Sequence, residues 1–424
     1  MIPMLPFREV KPHGPIEATL TLPGSKSYTH RALMAAALAT GDSVLVNALK
    51  AEDTELTAQA LAQLGAGIDW QGTTIQVTGR GGRWRRVAEP IYLGNSGTSM
   101  RFLTALVALG VGEYRLTGTE RLCQRPLGEL LDALGQVGVQ AKSENGDGCP
   151  PVRVTGGLTG GHARLSGSIS SQYLSALLFI GPLAPSGLEI EITGDLVSKP
   201  YVDLTLEVLS DFGISYYRQG HQFFQLPGGQ CYLPQNYVIE ADASSASYFW
   251  AAAALTRGRV TITNLSLESS QGDAAFPHVL ERLGCTLSES PQGLTLQGGP
   301  LQGIAVDMAT MPDLVPTLAV LAAFARGETV ITGVAHLRHK ESDRLAAVAT
   351  ELTKLGIEAK ETADGLSIRG GEPRGDVIET YNDHRIAMSF AVAGLKAPGM
   401  VITDPDCVAK SFPDFWKFFE RLYA

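Results

Sequence analysis

Two hydrophobic patterns alternate along the chain. The first is a short β-branched run opened by a glycine. Such runs begin at Gly41, Gly112, Gly187, Gly258, Gly327 and Gly399, with successive separations of 71, 75, 71, 69 and 72 residues. Before each glycine lies a segment of helix length rich in Ala and Leu, as in RALMAAALAT, FLTALVALG, YFWAAAALTR and LAVLAAFAR. A helix apolar on most sides is one packed tightly and buried. The second pattern follows each strand. Leu127, Leu130, Leu131 and Leu134 stand at i, i+3, i+4 and i+7, as do Phe276, Val279, Leu280 and Leu283, and Phe415, Phe418, Phe419 and Leu422. That spacing predicts an amphipathic helix. Most of these helices run out at a glycine, in LGAGI (64–68), FGISY (212–216), LGCTL (283–287) and LGIEA (355–359). Glycine suits the left-handed position that closes a helix, and a further strand is expected after it.

The predicted unit is therefore strand, helix, strand, helix, strand, in six copies of about 70 residues. Six copies exceed what one core usually serves, so two domains of three units each are expected. The chain is expected to cross between them in PQNYVIEADASS (234–245) and near Leu20–Gly24. This places one domain at 22–239 and the other at 1–21 with 240–424, with a hinge near 20–24 and 239–242.

Composition narrows the function without changing the fold. The 424 residues are 44% hydrophobic and 18% charged, as in a globular protein. No apolar run is long and uncharged enough to cross a bilayer, and MIPMLPFREVKPHG lacks the order of a secretory signal. Cys123, Cys149, Cys231, Cys285 and Cys407 are scattered and form no C-x-x-C pattern. A reduced cytoplasmic compartment is expected, with neither a disulfide framework nor a zinc site. The net charge of −9 counts against a nucleic-acid partner. An acidic protein can still hold anions if its cations are gathered at one place.

The starts of the Ala-rich helices show where. They read Gly24-Ser25-Lys26-Ser27, Asn95-Ser96-Gly97-Thr98-Ser99, Ser170-Ser171-Gln172, Asp242-Ala243-Ser244-Ser245, Pro312-Asp313 and Asn382-Asp383-His384-Arg385. Ser, Asn, Asp and Thr cap free helix amides. Capping does not call for Lys26, Arg31, Arg101 or Arg385 in the first turns, where a cation opposes the helix dipole. Helix N-termini also bind phosphate and carboxylate. One or two strongly anionic ligands are therefore expected. Further isolated cations, Arg125, Lys199, Lys340, Arg344 and Lys410, are expected in loops among Pro, Ser, Gly and aromatic residues. GSKS is not a nucleotide-phosphate loop, because Ser25 separates Gly24 from Lys26. His336 and His339 lack the companions of a metal site.

Ten segments, in order, carry a resemblance: LPGSKSYTHRAL, LGNSGTSMR, QRPLGELLDAL, SISSQYLSALL, SKPYVD, EADASSASYF, PDLVPTLAV, HKESDRL, YNDHRIAMSF and DPDCVAKSFPDF. Together they span nearly the whole chain and resemble the motif series of 5-enolpyruvylshikimate-3-phosphate synthases. The resemblance implies an α/β fold, a two-domain inverse α/β barrel with three βαβαββ repeats in each domain, and an active site in the cleft between the domains. It implies transfer of the enolpyruvyl group of phosphoenolpyruvate to the 5-hydroxyl of shikimate-3-phosphate, with release of phosphate and no metal or organic cofactor. It places Lys26, Asn95, Gly97, Arg125, Gln172, Arg344, Arg385 and Lys410 around phosphoenolpyruvate. It places Lys26, Ser27, Arg31, Ser170, Ser171, Gln172, Ser198, Tyr201, Asp313 and Lys340 around shikimate-3-phosphate. Asp313, Glu341 and Lys26 are the implied proton carriers. The expected partners are these two small molecules, with no nucleic acid and no membrane, and a monomer is expected.

The sequence departs from that family's usual pattern. His30 and His336 stand where Asn is usual, Ser96 where Ala is usual, and Phe102 where Pro is usual. Phe102 lies one turn beyond Gly97 and is expected to alter the response to glyphosate, an inhibitor that occupies the phosphoenolpyruvate site. Two rivals share the scaffold. One is a UDP-N-acetylglucosamine enolpyruvyl transferase, which carries a loop Cys shortly before Arg-Pro, as Cys123 stands before Arg125-Pro126. The other is a non-catalytic phosphoanion-binding protein, which would need neither Glu341 nor Asp313.

Overall fold

The computed structural model describes residues 6–423. The chain forms two compact units, one of residues 24–240 and one of 1–23 with 241–424. Both are α/β, with sheets of mixed strand direction and helices.

Unit 24–240 carries helices α1 (Lys26–Leu38), α2 (Glu52–Gln63), α3 (Gly97–Leu106), α4 (Gly128–Gln136), α5 (Ser171–Ile180) and α6 (Lys199–Asp211). It has three four-stranded sheets. Their second strands, Thr40–Val46, Glu113–Thr117 and Leu188–Thr193, arise at the glycines that open the β-branched runs. In each sheet this strand pairs in parallel with one neighbour and antiparallel with the other.

The second unit carries α7 (Ala243–Thr256), α8 (Phe276–Leu283), α9 (Val315–Ala323), α10 (Arg344–Lys354), α11 (His384–Gly394) and α12 (Phe415–Glu420). Its described residues form two four-stranded sheets and one of three strands. The N-terminal strands complete two of them. Glu17–Leu20 pairs in parallel with Arg259–Ile262, and Phe7–Val10 pairs antiparallel with Met400–Thr403.

The glycines of these openings are not interchangeable with alanine. Gly41 takes φ +123°, where a side chain is strained. Gly258 has no such angle. A Cβ there would lie 2.1 Å from the Ile16 carbonyl oxygen, so close backbone contact is its reason.

Each unit has its own hydrophobic core. The Ala-rich helices lie within them. Every residue of α7 except Ser244 is buried. Small Ala side chains let such helices approach one another, and each buried Phe or Leu between them contributes about 1.5–3 kcal/mol. The amphipathic helices show one apolar face instead. In α8 Phe276, Val279, Leu280 and Leu283 are buried, while His278, Glu281 and Arg282 are exposed. Gly65, Gly213, Gly284 and Gly356, which follow the ends of α2, α6, α8 and α10, take φ between +81° and +112°. No helix among the described residues is long and apolar enough to cross a membrane.

Candidate active site

The polar helix starts cap as their chemistry suggests. The side chains of Ser25, Ser96, Ser170, Asp242 and Asp383 accept first-turn amides of α1, α3, α5, α7 and α11. The start at Pro312-Asp313 is different. A 3-10 turn, Pro312–Leu314, runs directly into α9. Arg344 is not in a loop, contrary to expectation. It is the first residue of α10, with Asp343 as the cap. Lys199 opens α6 and is exposed.

In unit 24–240 the implied binding residues gather at the starts of α1, α3, α5 and α6. Lys26 Nζ lies 3.2 Å from Asp53 Oδ2. Arg31 is fully buried. It donates to Thr205 Oγ1 at 2.9 Å and to the carbonyls of Ser27 at 3.0 Å and Tyr201 at 2.7 Å. The rings of Phe102 and Tyr201 lie 5.4 and 5.9 Å from its Cζ. Burial lowers Arg31 to about 10. Ser198, the residue before α6, holds the left-handed conformation at φ 54° and is buried. Ser171 opens α5, and its cap Ser170 accepts from the Gln172 amide at 3.3 Å.

The α3 start is joined to α5 and to the 122–126 loop. Gln172 donates to Thr98 Oγ1 at 2.9 Å and accepts from Arg101 Nη1 at 3.2 Å. Arg125 donates to the Asn95 carbonyl at 3.2 Å. A Cβ on Gly97 would lie 2.3 Å from Arg101 Nη1 and 2.5 Å from Arg125 Nη2. A side chain there would displace both guanidiniums from the helix start. Arg101, a first-turn cation to which the motif series assigns no ligand, belongs to this set.

Two departures from the family pattern prove to be one feature. His30 Nδ1 lies 2.9 Å from Thr57 Oγ1, Thr57 Oγ1 lies 2.7 Å from Ser99 Oγ, and Ser99 Oγ lies 2.6 Å from Ser96 Oγ. This buried polar string ties α1 through α2 to the cap of α3. Each hydroxyl is satisfied by the next, so its burial costs little.

In the second unit the arrangement centres on Arg344. Its guanidinium, 1% exposed, donates to Asp383 Oδ2, Asp313 Oδ1 and Glu341 Oε2, each at 2.8 Å. Arg385 Nη2 donates to Asp313 Oδ2 at 2.8 Å, and Lys340 Nζ lies 3.9 Å from Asp313 Oδ1. Burial alone would push the Asp313 carboxyl up. Arg385, Lys340 and Arg344 outweigh it and hold the group well below the usual carboxylate range. Burial likewise opposes the charge on Arg344, but its three carboxylates hold that group up. In the sequence Asp383 marks only a helix start. It also orients Arg344 and Ser342, and only packing across 39 and 41 residues discloses this. His336 is buried, and burial and then Lys340 push it down to about 3, so it is neutral. Lys410 ends the turn Pro405–Lys410 and is buried. Among the described residues no group of three or more His, Cys, Asp or Glu side chains is placed to hold a metal ion.

The family model for EPSP synthase (3-phosphoshikimate 1-carboxyvinyltransferase) matches residues 10–419. The chain belongs to the EPSP synthase family. It is 46% identical over 414 residues to the 3-phosphoshikimate 1-carboxyvinyltransferase of Trichormus variabilis, covering 96% of this chain and 97% of that one. It is 46% identical over 419 residues to that of Syntrophobacter fumaroxidans, covering 98% and 99%. A solved structure of EPSP synthase from Acinetobacter baumannii superposes with a TM-score of 0.81 at 31% identity, covering 98% of both chains.

Proposed function

We propose that this EPSP synthase family member transfers the enolpyruvyl group of phosphoenolpyruvate to the 5-hydroxyl of shikimate-3-phosphate. The grip of Arg344, Arg385 and Lys340 on Asp313 carries the reading, because it keeps a carboxylate ionised where a hydroxyl proton must be taken. The hydroxyl oxygen attacks C2 of phosphoenolpyruvate and gives its proton to Asp313. C3 gains a proton from Lys26 or Glu341, forming a tetrahedral phospho-ketal. C3 then returns a proton to the group that supplied it, phosphate leaves and carries off the proton held by Asp313, and the enol ether is restored. Atoms balance without any cofactor.

Lys26, Asn95, Gly97, Arg125, Gln172, Arg344, Arg385 and Lys410 hold phosphoenolpyruvate in this proposal. Arginine grips phosphate and carboxylate through paired hydrogen bonds, and lysine adds point charge. Ser27, Arg31, Ser170, Ser171, Ser198, Tyr201, Asp313 and Lys340, with Lys26 and Gln172, hold shikimate-3-phosphate. The reaction requires residues of both units to reach one pair of ligands. We therefore also propose 22–239 and 1–21 with 240–424 as the working domains of a two-domain inverse α/β barrel, three βαβαββ repeats in each. Its chain crossings at 20–24 and 239–242 act as the hinge. The enzyme is proposed to work as a cytoplasmic monomer.

Phosphate release from phosphoenolpyruvate and shikimate-3-phosphate tests the function. Release only with a UDP-sugar acceptor, or with neither acceptor, overturns it. Cys123 is half-buried, with its thiol 3.8 Å from the Gly118 carbonyl oxygen. Cys123→Ser is expected to retain turnover, and its loss would support the UDP-sugar reaction.

A further inference from the structure

One buried acid beside the Arg344 cluster is assigned no part in the reaction above. Asp273 lies in the turn Gly272–Ala275, ahead of α8, and is 3% exposed. Its Oδ2 accepts a hydrogen bond from Ser244 Oγ, in the first turn of α7, and its buried Oδ1 has no hydrogen-bond partner among the described residues. Ser244 Oγ in turn accepts from Arg385 Nη2 at 3.4 Å, the nitrogen that also donates to Asp313 at 2.8 Å. Asp273, Ser244, Arg385 and Asp313 thus form a line with one cation and two carboxyl groups.

We propose that Asp273 is a positioning residue for phosphoenolpyruvate. Through Ser244 it sets Arg385, and its own charge decides how much of that guanidinium's field is left for the incoming anion. The inference rests on the reading that Arg385 binds phosphoenolpyruvate. An ionised Asp273 would be a second carboxylate beside Arg385 and would compete with the ligand. A neutral Asp273 leaves Asp313 as the only fixed counter-charge on this line.

Burial, and then the Asp313 charge, push the Asp273 carboxyl up to about 7, against the pull of Arg385 and Ser244. Asp242, at the cap of α7, pushes the same way. The charged side chains of α8 are exposed. The group is neutral below about 7 and ionised above it. An anion bound at Arg385 pushes it higher still, so phosphoenolpyruvate binding draws a proton onto Asp273. Affinity must then fall as pH rises above about 7, by up to about tenfold per pH unit.

The test is the KM for phosphoenolpyruvate at saturating shikimate-3-phosphate, measured from about pH 6 to 9. In the unmodified enzyme KM is expected to rise above about pH 7. Asp273→Asn keeps the shape and cannot ionise, and it should remove the rise. Asp273→Ser, also unable to ionise, repeats the measurement if the amide variant does not fold. Ser244→Ala should raise KM at every pH while keeping the slope, because the charge on Asp273 remains. A merely structural residue would alter melting temperature and kcat without changing the slope of KM with pH. A flat profile in the unmodified enzyme, or a rise that persists in both Asp273 variants, overturns the role of Asp273. Arg385→Ala separates the two assignments. If it leaves KM unchanged, the reading of Arg385 fails. If it raises KM by about tenfold or more while the Asp273 variants keep the rise, Arg385 stands and Asp273 alone falls.

Discussion

The two units hold their buried arginines in opposite ways. In unit 24–240, Arg31 and Arg101 are met by backbone carbonyls, a hydroxyl, an amide oxygen and aromatic faces, and among the described residues no carboxylate pairs with either. In the second unit Arg344 is met by three carboxylates and Arg385 shares one of them. Carbonyls and rings solvate a guanidinium but leave it its charge, and a bound anion completes the neutralisation. Carboxylates balance the charge in advance, and in return the arginines hold Asp313 well below the usual carboxylate range. The difference is between guanidiniums solvated by neutral groups and guanidiniums paired with acids, although both are built at the starts of helices.

The comparison predicts unequal costs for the same kind of substitution. Arg344→Met is expected to do most damage. It leaves Asp313, Glu341 and Asp383 buried without their common cation, which costs about 3–5 kcal/mol. Chemical denaturation should show that loss, and phosphate release should fall by roughly a thousandfold or more. Arg31→Met orphans no carboxylate. Its stability should fall by no more than about 1–2 kcal/mol, while KM for shikimate-3-phosphate rises by about a hundredfold. Equal destabilisation by the two variants would break the comparison.

The pH dependence sharpens it. Asp313 is held below its ordinary value, so its contribution to stability is present above the usual carboxylate range. It is lost as pH falls through the lowered value. Acid unfolding of the parent should therefore include a step that Asp313→Asn lacks, measurable as a smaller loss of stability as pH falls below about 4. Arg31 has no acid partner to protonate, so an Arg31→Met background should leave the step in place. The smallest effect is expected at Phe102, which is buried edge-on against Phe179 at 5.3 Å and lies beneath Arg31. Phe102→Pro would restore the family's usual residue and shift the start of α3 near Gly97. A severalfold change in the glyphosate inhibition constant is expected, and an unchanged inhibition curve would remove Phe102 from consideration.

Much of the local structure was legible in the chain. Ser25, Ser96, Ser170, Asp242 and Asp383 announce helix starts because capping needs only an oxygen within reach of the next few amides. The glycines after α2, α6, α8 and α10 announce helix ends because the left-handed conformation excludes most other residues. Arg344 was misplaced in a loop because its cap, Asp343, stands inside a charged run, HKESDR, without an apolar period before it. Asp273 was overlooked altogether, since an Asp after Gln-Gly reads as an ordinary turn residue.

The residues alone therefore determined the alternation of strand and helix, the caps, the family, and which side chains were candidates for the reaction. Tertiary structure decided the electrical state of those candidates. Asp313 meets Arg344 across 31 residues and Arg385 across 72, and Arg31 reaches the Tyr201 carbonyl across 170. Caps and turns depend on neighbours a few residues away, so they can be read along the chain. Charge, burial and protonation depend on groups brought close only when distant segments pack, and in a buried site those groups outweigh anything local.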